Sequence, residues 1–388
     1  MDTPRTVGVE EELLLIDPET RTISPRSSQV VRANREHAER DERDEHDQHD
    51  QQGVARPRPA TDELDQELFL HQIETRTDPS ADLADIERQL IASRRTAGTA
   101  AAEAGLAVVA AGAVLLSGGE PQVSPNDRYR DMVDTFGETA RTGSTCGCHV
   151  HTAIESPQEG VAIIDRITPW LPVLLAISAN SPYFEGRDTT YASWRSQAWT
   201  RWPSAGATEA FESVEGYEET ARLLKMTGAA RDDGMLYFDA RLSRGQPTVE
   251  VRVLDVCTDP ADAVLCAALV RGLVQTAADA WTRGEPLDRW RAEVLRACTW
   301  RASHVGLAGA LVHPARRELA PAREVLAGLV DHVRPALEAA GDVERVEDGI
   351  ERVLRGGGAT RQRAAFERHG TVEAVVDDLI ARTEATWR

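Results

Sequence analysis

The chain has 388 residues, 41% of them hydrophobic, and a formal charge of −20. That is enough apolar material for one large domain or two or three ordinary ones. So acidic a balance, with no basic stripe to offset it, argues against a nucleic-acid partner, whose phosphates need cationic neutralisation. Lys225 is the sole lysine among 44 Lys and Arg residues, and its surroundings, RLLKMTGAA, match neither a P-loop, a protein-kinase strand nor a Schiff-base site, each of which needs a lysine.

No charged leader followed by an apolar core opens the sequence, and the longest apolar runs, 170–179 and 261–273, are short for a membrane span. The expectation is a cytoplasmic protein with no membrane partner. The five cysteines (Cys146, Cys148, Cys257, Cys266 and Cys298) are odd in number and dispersed, and read as reduced thiols.

The first element, TVGVEEELLLID, has the content and alternation of a strand. Gly8, Glu10, Glu12 and Leu14 share one face; Val7, Val9, Glu11, Leu13 and Leu15 share the other, mostly apolar one. Two carboxylates two residues apart on one face repel unless a cation sits between them. The run 35–59 is dense in charge and almost without apolar residues, which predicts a disordered loop, and its histidines (His37, His46, His49) are read as solvated rather than metal-binding.

From Glu63, ELDQELFLHQIETRT is strand-like, 79–105 is an alanine-rich amphipathic helix, and LAVVAA is a short buried strand. A Gly/Pro/Ser loop at 117–126 and a short helix at 128–136 lead into STCGCHVHTAIES, where His149, His151 and Ala153 share a face opposite Val150, Thr152 and Ile154. A helix over 160–180, interrupted at Pro169 and Pro172, precedes a stretch holding Tyr183, Tyr191, Trp194, Trp199 and Trp202 among Arg187, Arg195 and Arg201. Such a stretch is either a ligand-binding loop or a surface loop pinned by its tryptophans.

Strand character returns in MLYFDARLS and TVEVRVLDV, with Thr248, Glu250 and Arg252 on one face and Val249, Val251 and Val253 on the other. After Pro260 the pattern is helical to the end, with GGGATRQR (356–363) a glycine break entering a helix. The expected organisation is a sheet-and-helix catalytic domain over 1–300 and a helical region over 301–388 packed on it.

Three distant strands thus place Glu10 with Glu12, His149 with His151, and Glu250 with Arg252 on single faces, and Glu74 in QIET is a plausible fourth contributor. Burying unpaired carboxylates is costly, and metal ions resolve the conflict. An oxygen-rich set with an imidazole suits Mg²⁺ or Mn²⁺. A zinc site at Cys146, Cys148, His149 and His151 competes, but neighbouring residues of a strand point to opposite faces and grip one ion poorly.

GVEEELLLID, CGCHVHTAIE, ISANSPYFEGRDTTYASWRSQAWTRWP, DDGMLYFDAR and PTVEVRVLDVC together resemble the type 2 glutamate-cysteine ligase, or carboxylate-amine ligase, family. The resemblance runs from Val7 to Trp300, with a weaker echo in GGGATRQR. It implies an α+β, glutamine-synthetase-like fold: a curved antiparallel sheet forming a funnel, flanked by helices, with a helical C-terminal region.

The resemblance also implies Glu10, Glu12, Glu74, Glu250 and His149 as metal ligands, and His149, His151 and Arg252 beside the nucleotide. Glu250 and Arg252 would act in catalysis, Arg252 facing the transferred phosphate, and Trp194, Arg195 and Arg201 would hold the acid substrate. The implied reaction uses ATP and Mg²⁺ or Mn²⁺ to convert a carboxylate into an acyl phosphate that an amine attacks, with small-molecule acid and amine as partners.

Two other functions are open on the residues: a metal-dependent hydrolase of γ-glutamyl or related amides working without ATP, and a nonenzymatic relative that keeps the fold. A homodimer would suit a large sheet with exposed edges. The sequence departs from the family pattern at 35–59 and at AAGAVLL (110–116), which lacks a polar Thr-His-Pro character after AAG and puts the acceptor in question.

Overall fold

The computed structural model describes residues 4–48 and 59–388. Its strands are β1 (Val7–Ile16), β2 (Asp65–Gln66), β3 (Gln72–Arg76), β4 (Ala107–Val109), β5 (Gly147–Ala153), β6 (Tyr183–Phe184), β7 (Arg187–Asp188), β8 (Ala240–Leu242), β9 (Thr248–Asp255), β10 (Ala310–His313) and β11 (Glu318–Pro321). Seven of them form one antiparallel sheet in the order β2-β3-β1-β5-β9-β8, with β4 paired to the C-terminal end of β1.

The period-two alternation read from the sequence divides this sheet's faces. Val7, Val9, Cys148, Val150, Val249 and Val251 are buried in one apolar cluster with helices Pro157–Ile167, Leu171–Ser178 and Pro260–Thr282. Residues of helices Ala322–Ala340 and Val343–Gly356 join the same cluster, so the C-terminal region packs on the core of the sheet. A second cluster gathers β4, helix Leu83–Glu103 and helix Val372–Ala385 around Leu13, Leu14 and Leu15.

Two segments, 157–178 and 260–282, are long and apolar enough to cross a membrane, but 89% and 83% of those windows are buried inside the fold. Their apolar content fills the core.

The structure corrects the sequence reading in two places. Residues 35–48, expected in a disordered loop, continue a helix over Ser27–Gln48, while 49–58 lie outside the described residues. Densely charged Arg/Glu sequence has good helix propensity, and the Arg32–Glu36 pair (3.9 Å) supports it at the favourable spacing of four.

The region beyond Pro286 is not all helix either: β10 and β11 pair as a hairpin between helices, a short element that the surrounding helical periodicity hides. Glu11, grouped with the apolar face of β1, does point into the core, where it meets an equally buried Arg94. Such a charge is tolerated only because it is paired and hydrogen-bonded.

Candidate functional site

Register places the acids and histidines together. Glu10 lies opposite His149 on β5, Glu12 opposite Glu74 on β3, and His151 opposite Glu250 on β9. Between Cys148 and Val150 the β5–β9 register shifts: Cys148 faces Leu254 and Val150 faces Val251, so His149 alone faces Arg252 and Val253. This β-bulge re-aims a side chain, and Arg252 Nη1 lies 3.4 Å from His149 Nδ1.

Glu10 occupies the centre. One of its oxygens is 3.2 Å from His149 Nδ1 and the other 3.4 Å from His151 Nε2. Two sets of potential ligand atoms, each lying within 4.8 Å of one another, share it: Glu10, Glu74 and His149, and Glu10, His151 and Glu250. Glu12 is more committed, since one oxygen accepts from the Gly147 amide at 2.6 Å and the other is 3.8 Å from His149 Nε2.

Most of the charge states fit cation binding; His151 departs, since burial lowers its pKa but the hydrogen bond and charge of Glu10 and the charge of Glu250 outweigh it and raise it toward the imidazolium. Burial opposes ionisation of Glu10, but hydrogen bonds and charge from His149 and His151 outweigh it and hold its carboxyl far below the usual range. Burial likewise disfavours a charged Glu250, yet Arg252 and Arg241 bring it down to about 2. Glu74 goes the other way, pushed well above the carboxylate range by burial and by Glu67, Glu10 and Glu12. A divalent cation in place of a proton relieves that crowding. Burial and the Arg252 charge lower His149 toward the neutral imidazole that can ligate a metal.

The Nε2 atoms of both His149 and His151 are buried without a hydrogen-bond partner. Native interiors seldom leave such atoms unsatisfied, and a metal ion beside each set would engage them. Two carboxylates and an imidazole per set, with no thiolate, suit a hard or borderline cation such as Mg²⁺ or Mn²⁺.

Glu10, Glu12, Glu74, His149 and Arg252 form one wall of a cavity of about 270 Å³, which is also lined by Arg128, Tyr129, Trp199, Trp202, Tyr237 and Arg241, whereas His151 and Glu250 are not among its lining residues. Arg241, opposite Glu250 in the β8–β9 pairing, donates to both of its oxygens at 2.7 and 3.1 Å. Glu67 is brought against Glu74, and burial together with the Glu12 charge pushes its carboxyl up to about 7. A carboxylate wall thus faces an aromatic one, with Arg252 between them.

A family model described as Glutamate-cysteine ligase family 2 (GCS2) matches residues 6–378. The chain belongs to this family. It is 62% identical over 384 residues to a Nocardioides protein named "Putative glutamate--cysteine ligase 2-1", covering 99% of this chain and 97% of that one. It is 46% identical over 381 residues to a Frankia alni protein named "Putative glutamate--cysteine ligase 2-2", with coverage of 98% and 97%.

Among solved structures, a Francisella tularensis glutamate–cysteine ligase in complex with AMP matches with a TM-score of 0.67 at 12% identity, covering 100% of this chain and 89% of that chain. A bifunctional glutathione synthetase from Pasteurella multocida matches at 0.65 and 15% identity, covering 99% of this chain and 52% of that chain. At such identities the match establishes the fold, and the α+β architecture with its antiparallel sheet agrees with the expectation.

For this family member the structure brings together Glu10, Glu12, Glu74, His149, His151, Glu250 and Arg252. It does not bring Trp194, Arg195 or Arg201 to the cavity lining. Arg195 is buried, its guanidinium donating to the carbonyls of Val253 and Arg252. Trp194 packs against Tyr191 and Phe184, and Arg201 is exposed and donates to Thr142 Oγ1 at 3.1 Å.

The zinc alternative also fails on placement: Cys146 and Cys148 are buried, and burial pushes both thiols well above their usual range, away from the thiolate a metal requires. In the departure at 110–116, Ala113, Val114 and Leu115 are buried, and the cavity lining does not include them.

Sequence reasoning missed Glu67, Arg128, Tyr129, Tyr237 and Arg241 as site residues. Arg241 had a signal, since MLYFDARLS precedes TVEVRVLDV as a hairpin partner. Glu67 had one in the β2–β3 pairing, which sets Asp65 opposite Glu74.

Proposed function

We propose that this protein is an ATP- and metal-dependent ligase that joins a carboxylate, glutamate first among candidates, to an amine through an acyl phosphate. The observation that carries the reading is the pair of ligand sets sharing Glu10, each with an imidazole nitrogen that makes no hydrogen bond, beside a cavity lined by Glu10, Glu74, His149 and Arg252, in a chain of glutamate–cysteine ligase family 2. The names of the relatives support glutamate as the acid and cysteine as the first amine to test. The buried Ala113–Leu115 segment leaves other amines open.

Glu10, Glu74, Glu250, His149 and His151 would hold the metals, which would screen the nucleotide phosphates and the acid substrate from each other. Arg252 keeps its charge under all conditions, because Glu250, Glu12 and Glu10 outweigh the effect of burial on it. Its Nε is buried with no partner, leaving a donor for charge that develops on the transferred phosphoryl group. Arg241 holds Glu250 in place with a two-toothed contact. Tyr129, Trp199 and Tyr237 close the other wall and keep water from the acyl phosphate. No side chain need act as a nucleophile; positioning and charge screening supply the catalysis.

The test follows ADP and phosphate release with Mg²⁺ or Mn²⁺, glutamate and a panel of amines including cysteine, beside an ATP-free control containing γ-glutamyl amides. ADP release that needs both acid and amine supports the ligase. Amide loss without ATP would replace it with a hydrolase.

A further inference from the structure

We propose that Arg195 is a positioning residue for Arg252: its guanidinium clamps the β-bulge that aims Arg252 into the cavity. The proposal rests on the ligase reading above only for its activity readout.

The bulge on β9 consists of Arg252 and Val253, which together face His149. A bulge disrupts the ladder locally and leaves polar backbone in need of partners. Arg195 supplies them at the same two residues. Nη2 donates to the Arg252 carbonyl at 3.1 Å and Nη1 to the Val253 carbonyl at 3.3 Å. The fork of a guanidinium spans two acceptors in fixed geometry, which an ammonium does not.

The clamp is itself held. Ser181 Oγ accepts from the Arg195 amide at 3.0 Å, and Asp255, at the end of β9, accepts from Ser181 Oγ at 2.7 Å and Ser193 Oγ at 2.8 Å. Gly147 allows the guanidinium to lie flat against β5, because a Cβ there would come 2.3 Å from Arg195 Nη2. The guanidinium carbon also lies 5.7 Å from the ring centre of Trp199, a wall of the cavity. Arg195 is buried, and both terminal nitrogens are spent on backbone, which separates it from a residue that grips a substrate carboxylate.

The test compares Arg195→Lys, which keeps charge and stem, and Arg195→Met with the wild-type protein by hydrogen exchange and by ADP release. Backbone protection across Thr248–Asp255 is expected to fall on the order of tenfold in both variants while β3 keeps its protection. In ADP release, kcat is expected to fall on the order of 10- to 100-fold with KM for the acid within about twofold. Unchanged exchange over Thr248–Asp255 overturns the proposal, and so does a raised KM for the acid at an unchanged kcat, which marks a substrate ligand. If the wild-type protein releases no ADP, the ligase reading fails, and the exchange comparison still decides the role of Arg195.

Discussion

Glu11 and Arg94 form an ion pair with no solvent exposure on either side chain: Arg94 Nε and Nη2 reach the two carboxylate oxygens at 2.8 and 2.6 Å. The same guanidinium donates to the carbonyls of Cys257 and Thr258, both at 2.6 Å. One side chain on helix Leu83–Glu103 therefore ties β1 to the turn that leaves β9. Glu11 alternates with Glu10 and Glu12, so holding it inward keeps its neighbours facing the cavity.

Arg94→Met leaves the Glu11 carboxylate buried and unpaired, and the expected loss of stability is about 3–5 kcal/mol. The double variant Glu11→Leu with Arg94→Met removes both charges and is expected to recover a large part of that loss. Urea unfolding checks both. A single variant within about 1 kcal/mol of wild type would show that the pair does not hold these elements together.

Glu10 belongs to both ligand sets and Glu74 to one. Glu10→Gln is therefore expected to abolish Mn²⁺ binding at both positions, and Glu74→Gln at one, with folding retained in each. Titration calorimetry with Mn²⁺ counts the sites directly. Equal stoichiometry for the two variants, or full binding in Glu10→Gln, would rule out a shared ligand.

The side chains of the acid-and-histidine cluster were legible because a strand repeats every two residues. Glu10, Glu12, His149, Glu250 and Arg252 declare their common faces in three short windows, and antiparallel register makes them neighbours. The bulge was not legible, since one extra residue leaves no mark on local alternation. Without it, Arg195 reads as a substrate ligand rather than as a brace. The opposite wall was hidden for another reason: Tyr129, Trp199 and Tyr237 come from segments with no shared periodicity, and only long-range packing brings them together. The helix over 35–48 was missed because lack of apolar residues was read as lack of structure, although helix propensity does not require them.

His71 predicts a pH dependence of stability of its own. Its ring stacks on Phe69, its Nε2 meets Ser144 Oγ, and its Nδ1 is buried without a partner. Burial brings its pKa down from 6.5 to about 3. The unfolded chain thus takes up this proton more readily than the folded one. The neutral imidazole's contribution is complete above the unfolded value of 6.5 and is lost as pH falls toward 3. The slope from this one group is at most about 1.4 kcal/mol per pH unit. Chemical denaturation at intervals from pH 7 to 4, for wild type and His71→Gln, is expected to show a shallower decline in the variant. Parallel declines would mean that His71 is not held neutral by the fold.

The glycines of GGGATRQR differ sharply in what surrounds them. A Cβ at Gly358 would lie 2.3 Å from Asn180 Oδ1, whereas one at Gly357 meets only the Val353 carbonyl at 3.7 Å. Asn180 is a junction: its Nδ2 donates to the carbonyls of Ala110 and Val256, and Gln362 donates to both its oxygens. Its amide donates to Asp255, which also binds Ser181 and Ser193 beside Arg195. Gly358→Ala is therefore expected to cost about 1–3 kcal/mol as overpacking forces Asn180 aside, and to lower turnover through the Asp255 contacts. Gly357→Ala should change neither by a measurable amount. Thermal unfolding of the two variants, with ADP release measured on each, separates them. Equal behaviour would show that helix Gly358–His369 can shift without disturbing the end of β9.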